Sequence, residues 1–385
     1  MSGVAHHLVR RALDITNEQY ANTSNDDDQV KRIAIWGMLI LWATGIIYTA
    51  MMAAISYTYG DVIATLAMIE TPTATAYTPA PPPKYTDAID QKTPLAIEEP
   101  QEPDLLLAHA PITAKLRTAV HHLRRVGGRL ARFRGFHIAL LYNILHAALI
   151  HLFTPRGSMS AMRPLIAVLA TIALCRLQMT WTHHVISAPR AEPVRWYKRF
   201  PSIQAGKNIL LPTAVWAVAQ QAATYVPAGL FVAIAENYHH PEVYGSNPAT
   251  VQKIAMVQML FVGLIWIGTI ILVVIPAQVT MTRVMASMLP EEDEPIVPFD
   301  RSFAGKVTSE QIAAGGAVNM LDAWKTFDKQ ARLRLVKLYV KVFMVQVATT
   351  VLFAGVLLLE LRAIVGANEL PKLGRAALEG MKGGL

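Results

Sequence analysis

Ile254-Ala-Met-Val-Gln-Met-Leu-Phe-Val-Gly-Leu-Ile-Trp-Ile-Gly-Thr-Ile-Ile-Leu-Val-Val-Ile275, followed by Pro276, is the stretch that decides the fold. Such a run has the length a helix needs to cross a hydrocarbon core of about 30 Å, which takes roughly 20 apolar residues. Working outward, similar runs occupy Asn208 to Ala235 (with Pro212 and Pro227 as kink points), Arg163 to Ile186 and Gly135 to Phe153. Two more lie at Ile33 to Tyr57 and Val340 to Val365. Membrane helices tolerate internal prolines because neighbours satisfy the freed backbone groups. The chain is 53% hydrophobic and only 16% charged, against about 25% charge in ordinary soluble domains. An all-α membrane protein with about six transmembrane helices is therefore expected, with the lipid bilayer as its first partner.

The segments between the runs differ in chemistry. Residues 1–32 form a polar tail whose faintly basic opening (His6, His7, Arg10, Arg11) leads to acids rather than an apolar signal core, so a cleaved secretory peptide is not expected. Residues 71–103 are rich in Pro, Thr, Ala and acids and bury too little apolar surface to offset ordering entropy, which predicts disorder. Residues 115–134 carry His121, His122, Arg124, Arg125, Arg129 and Arg132 at helical spacing, which predicts a basic helix along the membrane surface. Residues 284–337 read as a polar loop with an acidic turn, Glu291 to Glu294, and a helix from Leu321 to Lys337; residues 366–385 are a C-terminal tail.

The net charge of +8 and pI near 9.5 do not point to nucleic acid. The basic residues collect in three alternate connections, at Lys115 to Arg134, Arg190 to Lys207, and Arg283 with Lys325 to Lys341. That bias places these connections on the inside face and both termini on the other. The single cysteine, Cys175, sits in an apolar run, which excludes an intrachain disulfide and a thiolate metal cluster. His146 and His151 are five apart, and the pairs at His121, His183 and His239 are adjacent residues. Metal-binding helices need spacings of three or four with nearby acids, so no metal or cofactor is expected. No phosphate loop or nucleophile elbow occurs, and the protein does not read as an enzyme.

A repeat of two helices used three times is visible at the run ends. Span one ends Tyr59-Gly-Asp-Val-Ile-Ala-Thr-Leu66, span three Thr182-His-His-Val-Ile-Ser-Ala-Pro189, and span five Pro276-Ala-Gln-Val-Thr-Met-Thr-Arg283. The even spans share an entry: Phe133-Arg-Gly-Phe136, Tyr197-Lys-Arg-Phe200 and Leu338-Tyr-Val-Lys341. These features resemble the mitochondrial carrier family, whose six helices form three repeats with a Pro-x-acid-x-x-basic motif at each odd helix end. The resemblance implies a carrier-like bundle in a mitochondrial or related organelle membrane. It makes Asp61 the acidic position of the first repeat, and Pro276 and Arg283 the kink proline and later basic position of the third. His184 and Gln278 stand where acids would be, and Ala64, Ser187 and Met281 replace the basic partners, so the family's salt-bridge gate is largely absent. A second stretch, Pro290-Glu-Glu-Asp-Glu-Pro-Ile-Val-Pro-Phe-Asp-Arg301, resembles uncharacterised fungal multi-pass membrane proteins.

Two function classes follow. Carrier-like transport of a small solute predicts a cavity lined by Arg176 and by polar residues of the even spans: Asn143, His146, Gln220, Gln221, Thr224, Gln346 and Thr349. A charge at bilayer depth costs several kcal/mol unless it faces a partner or polar cavity. The plainer alternative for the polar residues is interhelical hydrogen bonding. The other class is a membrane scaffold presenting the Pro-rich and basic segments to soluble partners. Pro82-Pro83-Lys-Tyr85 fits the short signal that WW domains bind as a preformed polyproline helix.

Overall fold

The computed structural model describes residues 35–71, 111–154, 162–190, 195–237, 248–308 and 316–365. Both tails, most of the Pro-rich stretch and its Pro82, Pro83 and Tyr85 lie outside these residues. Among the described residues there is no strand, only one isolated bridge between Ser187 and Pro295. Five helices are long and apolar enough to cross a membrane: Ile35–Ile69, Ala131–Phe153, Ile203–Ile234, Lys253–Ser287 and Lys329–Ile364. The bent pair Arg163–Ala173 and Cys175–Ile186 makes a sixth if it counts as one span. The chain is an all-α integral membrane protein.

Spans one and five run further than their hydropathy predicts, span three ends at Ile186 as expected, and all three odd spans are distorted along the way. Helix α1 (Ile35–Ile55) does not stop near Tyr57; it passes through a π-helical turn (Ser56–Ile63) into α2 (Ala64–Ile69). The basic segment forms α3 (Leu116–Gly127), and α4 (Phe136–Phe153) is the second span. The third span is not one straight helix, because α5 (Arg163–Ala173) and α6 (Cys175–Ile186) meet at Leu174 with a 57° bend. Helix α7 (Ile203–Asn237) runs through both Pro212 and Pro227. Pro276 does not close span five: α8 (Pro248–Thr269) gives way to a π-helical turn (Ile270–Val274), then α9 (Ile275–Ser287). Proline is at home there, in the first turn of a new segment where its missing N–H is not needed.

The polar loop before the last span also differs from expectation. Instead of one helix over Leu321 to Lys337, a short α10 (Met320–Lys325) ends at Thr326. The residues after it join the final span in one helix, α11 (Lys329–Val365).

The chain forms two compact units, Met1–Ser56 with Val340–Leu385, and Tyr57–Tyr339. In the first, α1 and the outer part of α11 expose Leu39, Trp42, Ile46, Val351 and Leu359, as a lipid-facing surface does. They are joined by polar contacts at bilayer depth. Thr44 Oγ1 donates to Glu360 Oε1 at 2.6 Å, the Tyr48 and Thr350 hydroxyls meet at 3.1 Å, and the Tyr48 ring lies 5.3 Å from Phe353. In the second unit the upper helices expose their side chains, whereas α2, α6 and α9 are buried on nearly all sides.

The Thr44–Glu360 bond should be measurable. Thr44→Val should cost about 0.6 to 1.7 kcal/mol, the range of interhelical hydrogen bonds in membranes, and Thr44→Ser should restore most of it. Reversible unfolding in mixed micelles reads both.

Candidate functional site at the convergent helix ends

The ends of the three odd spans meet. Helices α2, α6 and α9 each pack against the other two. Their shared core is apolar and excludes water: Val62, Ile63, Leu66 and Ile69 from the first, Met179, Val185 and Ile186 from the second, Val279, Val284 and Met285 from the third. Such continuous apolar faces explain why the helices persist to these ends, since each buries its surface against the other two.

A strap closes over this core. The stretch from Pro290 to Arg301 crosses the helix ends, with Ile296 N donating to Ile186 O at 2.8 Å and Ala188 N to Glu294 O at 2.6 Å. Thr71 N donates to Pro298 O at 2.9 Å. Asp293 is buried and accepts from Arg190 Nε at 2.9 Å and Arg199 Nη2 at 3.1 Å. His183 Nε2 contacts Met285 O at 2.7 Å, and His122 Nε2 contacts Ile296 O at 2.9 Å. The acidic turn of the sequence is thus part of a buried tie, through Asp293.

Arg283 is the pin of the assembly. It is 3% exposed, and no carboxylate is bonded to it. Its Nε donates to Ala323 O at 2.9 Å, Nη1 to Met68 O at 3.2 Å and Nη2 to Thr326 Oγ1 at 3.0 Å. Its guanidinium carbon lies 5.0 Å from the Phe303 ring centroid and 5.4 Å from that of Phe327. Phe303 is fully buried and begins three consecutive residues of positive φ, with Ala304 and Gly305. Such backbone is strained outside glycine. The Asp300 carboxylate holds it by accepting from Ser302 N at 2.9 Å and Ala304 N at 2.8 Å. Burial pushes the Asp300 carboxyl up, but those bonds, one from the Ser302 hydroxyl and the nearby Arg283 charge together hold it below the usual carboxylate range.

The motif residues named from sequence lie around the apolar core. Asp61 sits exposed on the π-helical turn, within electrostatic range of Tyr57 and Tyr339. Gln278 Oε1 accepts from the Tyr339 hydroxyl at 3.1 Å. The His184 carbonyl accepts from Arg134 Nε at 2.6 Å, and its ring meets that of His137 edge to face at 5.7 Å. Gln278 and His184 thus each contact the start of an even span. The shared entry has a steric reason in the first repeat: Gly135 has φ +73°, and a Cβ there would lie 3.2 Å from the Trp181 ring. That indole donates to the Tyr57 hydroxyl at 3.1 Å, which donates to Arg134 O.

The cavity residues make mostly local bonds. Arg176 lies on the first turn of α6, past the bend, donating to Pro201 O and covering the Phe200 ring at 4.6 Å. His146 Nε2 meets Thr171 Oγ1 at 3.1 Å. Asn143, Thr224 and Thr349 bond carbonyls four residues back in their own helices. Gln220 and Gln221 are half-buried on α7, and Gln346 is half-buried on α11 in the other unit. Among the described residues no cluster of three or more His, Cys, Asp or Glu is placed to hold a metal.

Several site residues were invisible to pattern reading. Glu70, 3% exposed, accepts from Ile112 N at 2.5 Å and from Thr113 N at 3.2 Å, with Arg334 at 4.0 Å. A helix expected to end at Tyr57 hides it, and the only signal was the unbroken apolar pattern from Val62 to Ile69. No protein-family model, curated protein or solved structure matches the chain.

Removing the pin should be severe. Arg283→Ala removes the arginine donor from two buried carbonyls, Met68 O and Ala323 O, at about 1 to 3 kcal/mol each, and empties the space between Phe303 and Phe327, so the folded protein should not accumulate, whereas Arg332→Ala should. Asp300 gives a pH signature. A folded carboxyl held below its unfolded value stabilises fully above about pH 4, and that contribution fades as pH falls through the folded value. Thermal melts of Asp300→Asn should be lower than wild type at neutral pH and converge with it in acid.

Proposed function

We propose that this integral membrane protein is a non-transporting scaffold on a degenerate carrier-like plan, in a mitochondrial or related organelle membrane. Its role is to hold a folded basic module, with the Pro-rich segment, at the membrane face for soluble partners. The carrying observation is the mutual packing of α2, α6 and α9 through fully buried apolar side chains under the 290–301 strap. A gate of exposed ion pairs opens cheaply, at about 0 to 1 kcal/mol per pair. An apolar core does not: each buried Val, Leu, Ile or Met contributes about 1.5 to 3 kcal/mol. Parting the helices costs well over 10 kcal/mol on that scale, and a solute bound at millimolar affinity supplies only about 4 kcal/mol. The absence of acid and basic partners at His184, Gln278, Ala64, Ser187 and Met281 agrees with a closure that never needed to be ionic.

One observation favours solute transport as a second reading. All three odd spans are distorted, at Ser56–Ile63, Leu174 and Ile270–Val274, and π-helical turns, present in the first and third, often mark functional sites.

A disulfide separates the two. The Thr182 hydroxyl lies 3.5 Å from Met285 Sδ, a contact between spans three and five; Thr182→Cys with Met285→Cys, in a Cys175→Ser background, ties the two spans once loss of free thiols on oxidation verifies the bond. In proteoliposomes offered a panel of small anions and cations, the scaffold shows no uptake before or after oxidation. Uptake that oxidation abolishes and reduction restores would make the protein a transporter. Deleting residues 72–103 should remove capture of a WW-domain partner at the Pro-rich segment while leaving the protein in the membrane.

A further inference from the structure

The second unit engages nearly all of its inner arginines. Arg190 and Arg199 share Asp293, and Arg301 reaches the carbonyls of Leu289, Pro290 and Asp293. Arg332 donates to Trp324 O and Phe327 O and lies 4.0 Å over the Trp324 ring. The outward side of α3 is the exception. Ala119 and Leu123 anchor the helix in the core, while Lys115, Arg117, His121 and Arg125 are exposed. None of these four side chains has a hydrogen bond or ion pair among the described residues. They border a groove of about 560 Å³ with Pro111, Ile112 and Ala114 on its apolar side and no acid in its lining.

Two kinds of anion suit such a groove, a lipid headgroup layer or an acidic protein segment, and position decides between them. The Tyr57 hydroxyl donates to Arg134 O at 2.5 Å, at the entry to the second span, while Glu70 holds Ile112 and Thr113. The 13 residues from Tyr57 to Glu70 rise roughly 20 Å at helical pitch. The chain from Ile112 to Arg134 therefore runs back over that height, and the start of α3 lies well beyond the level where the span begins. Lipid charge is screened over about 8 Å at physiological salt, so the headgroups do not reach the Lys115 end. Arg117, His121 and Arg125 follow one another at four-residue steps, about 6 Å apart on one face. Alternate side chains of an extended peptide repeat at about 6.6 Å, close to that spacing.

We infer that the groove along α3, bordered by Lys115, Arg117, His121 and Arg125, is a docking site for an acidic peptide segment of a soluble partner. Acids at alternate positions meet the basic row, and the apolar residues between them rest on Pro111, Ile112 and Ala114. The inference rests on the scaffold reading and names the chemistry of its partner.

The test uses the full chain in nanodiscs of phosphatidylcholine alone, with a labelled peptide of alternating Glu and Leu read by fluorescence anisotropy. Saturable binding is expected, lost when Gln replaces the Glu residues. It should weaken at least about ten-fold in the pair Arg117→Glu with Arg125→Glu, and by a similar factor between about 50 and 300 mM salt, as charge pairing requires. Lys198→Glu, an exposed basic position outside the groove, should leave it unchanged. Should charge reversal impair folding, Arg117→Gln with Arg125→Gln keeps the comparison, with a smaller loss of at least about three-fold. Absence of peptide binding, or binding indifferent to the paired substitutions, overturns the inference. So does an effect of those substitutions that appears only with phosphatidylserine in the disc, which would assign the groove to lipid. Either failure leaves the disulfide experiment on spans three and five to judge the scaffold reading separately.

Discussion

A guanidinium that reaches neither water nor a carboxylate sets the terms for the inner half of this protein. Arg283 carries its charge into a space where only backbone carbonyls, one hydroxyl and two aromatic faces receive it. Burying a charge costs several kcal/mol, which three hydrogen bonds and two aromatic faces offset here. The matching groups come from distant places: Met68 at the end of the first odd span, Ala323 and Thr326 around α10, and Phe303 in a left-handed loop. None of those segments can relax without leaving the cation exposed to an apolar interior. The strained loop and the short α10 are held in place by that demand.

The same economy governs the closure of the helix ends. Ion pairs are present, but at the periphery: Asp293 with Arg190 and Arg199 fastens the strap. The centre is left to Val62, Ile63, Val185, Ile186, Val279 and Met285, which have no alternative partner in water. Between centre and span lies a polar layer in which Gln278 takes a hydroxyl from Tyr339, and His184 meets His137 and Arg134. Polar residues at the ends of odd spans thus hold the entries of even ones, and the closure runs through dispersion and backbone bonding.

The membrane character of the chain was legible because hydropathy is a sum over about twenty residues and tolerates local error. Helix ends were not. The apolar residues from Val62 to Ile69 lie beyond Gly60 and Asp61, which look like a stop, yet both sit inside a π-helical turn that carries the helix through. Pro276 does not end span five either, because its missing amide falls in the first turn of α9, where no bond is needed. At the site, Arg283 was visible as a repeat position but its partners were not. Ala323 and Met68 act through backbone carbonyls, which leave no mark in side-chain sequence. Glu70 lies past the apolar run and Asp293 inside the acidic turn Glu291 to Glu294, and neither position marks in sequence which carboxylate the fold buries. The cavity residues were chosen by polarity and depth, but Asn143, Thr224 and Thr349 turn their hydrogen bonds onto their own helices.

The π-helical turns at Ser56–Ile63 and Ile270–Val274 also carry a consequence for how the chain can change over time. In span five the turn adds surplus backbone between the exposed side chains of α8 and the buried ones of α9, so the angular phase of one segment is decoupled from the other. A helical wheel drawn through that span smears two different faces together. Selection can therefore act on the exposed and the buried segment of span five as if they were separate parts.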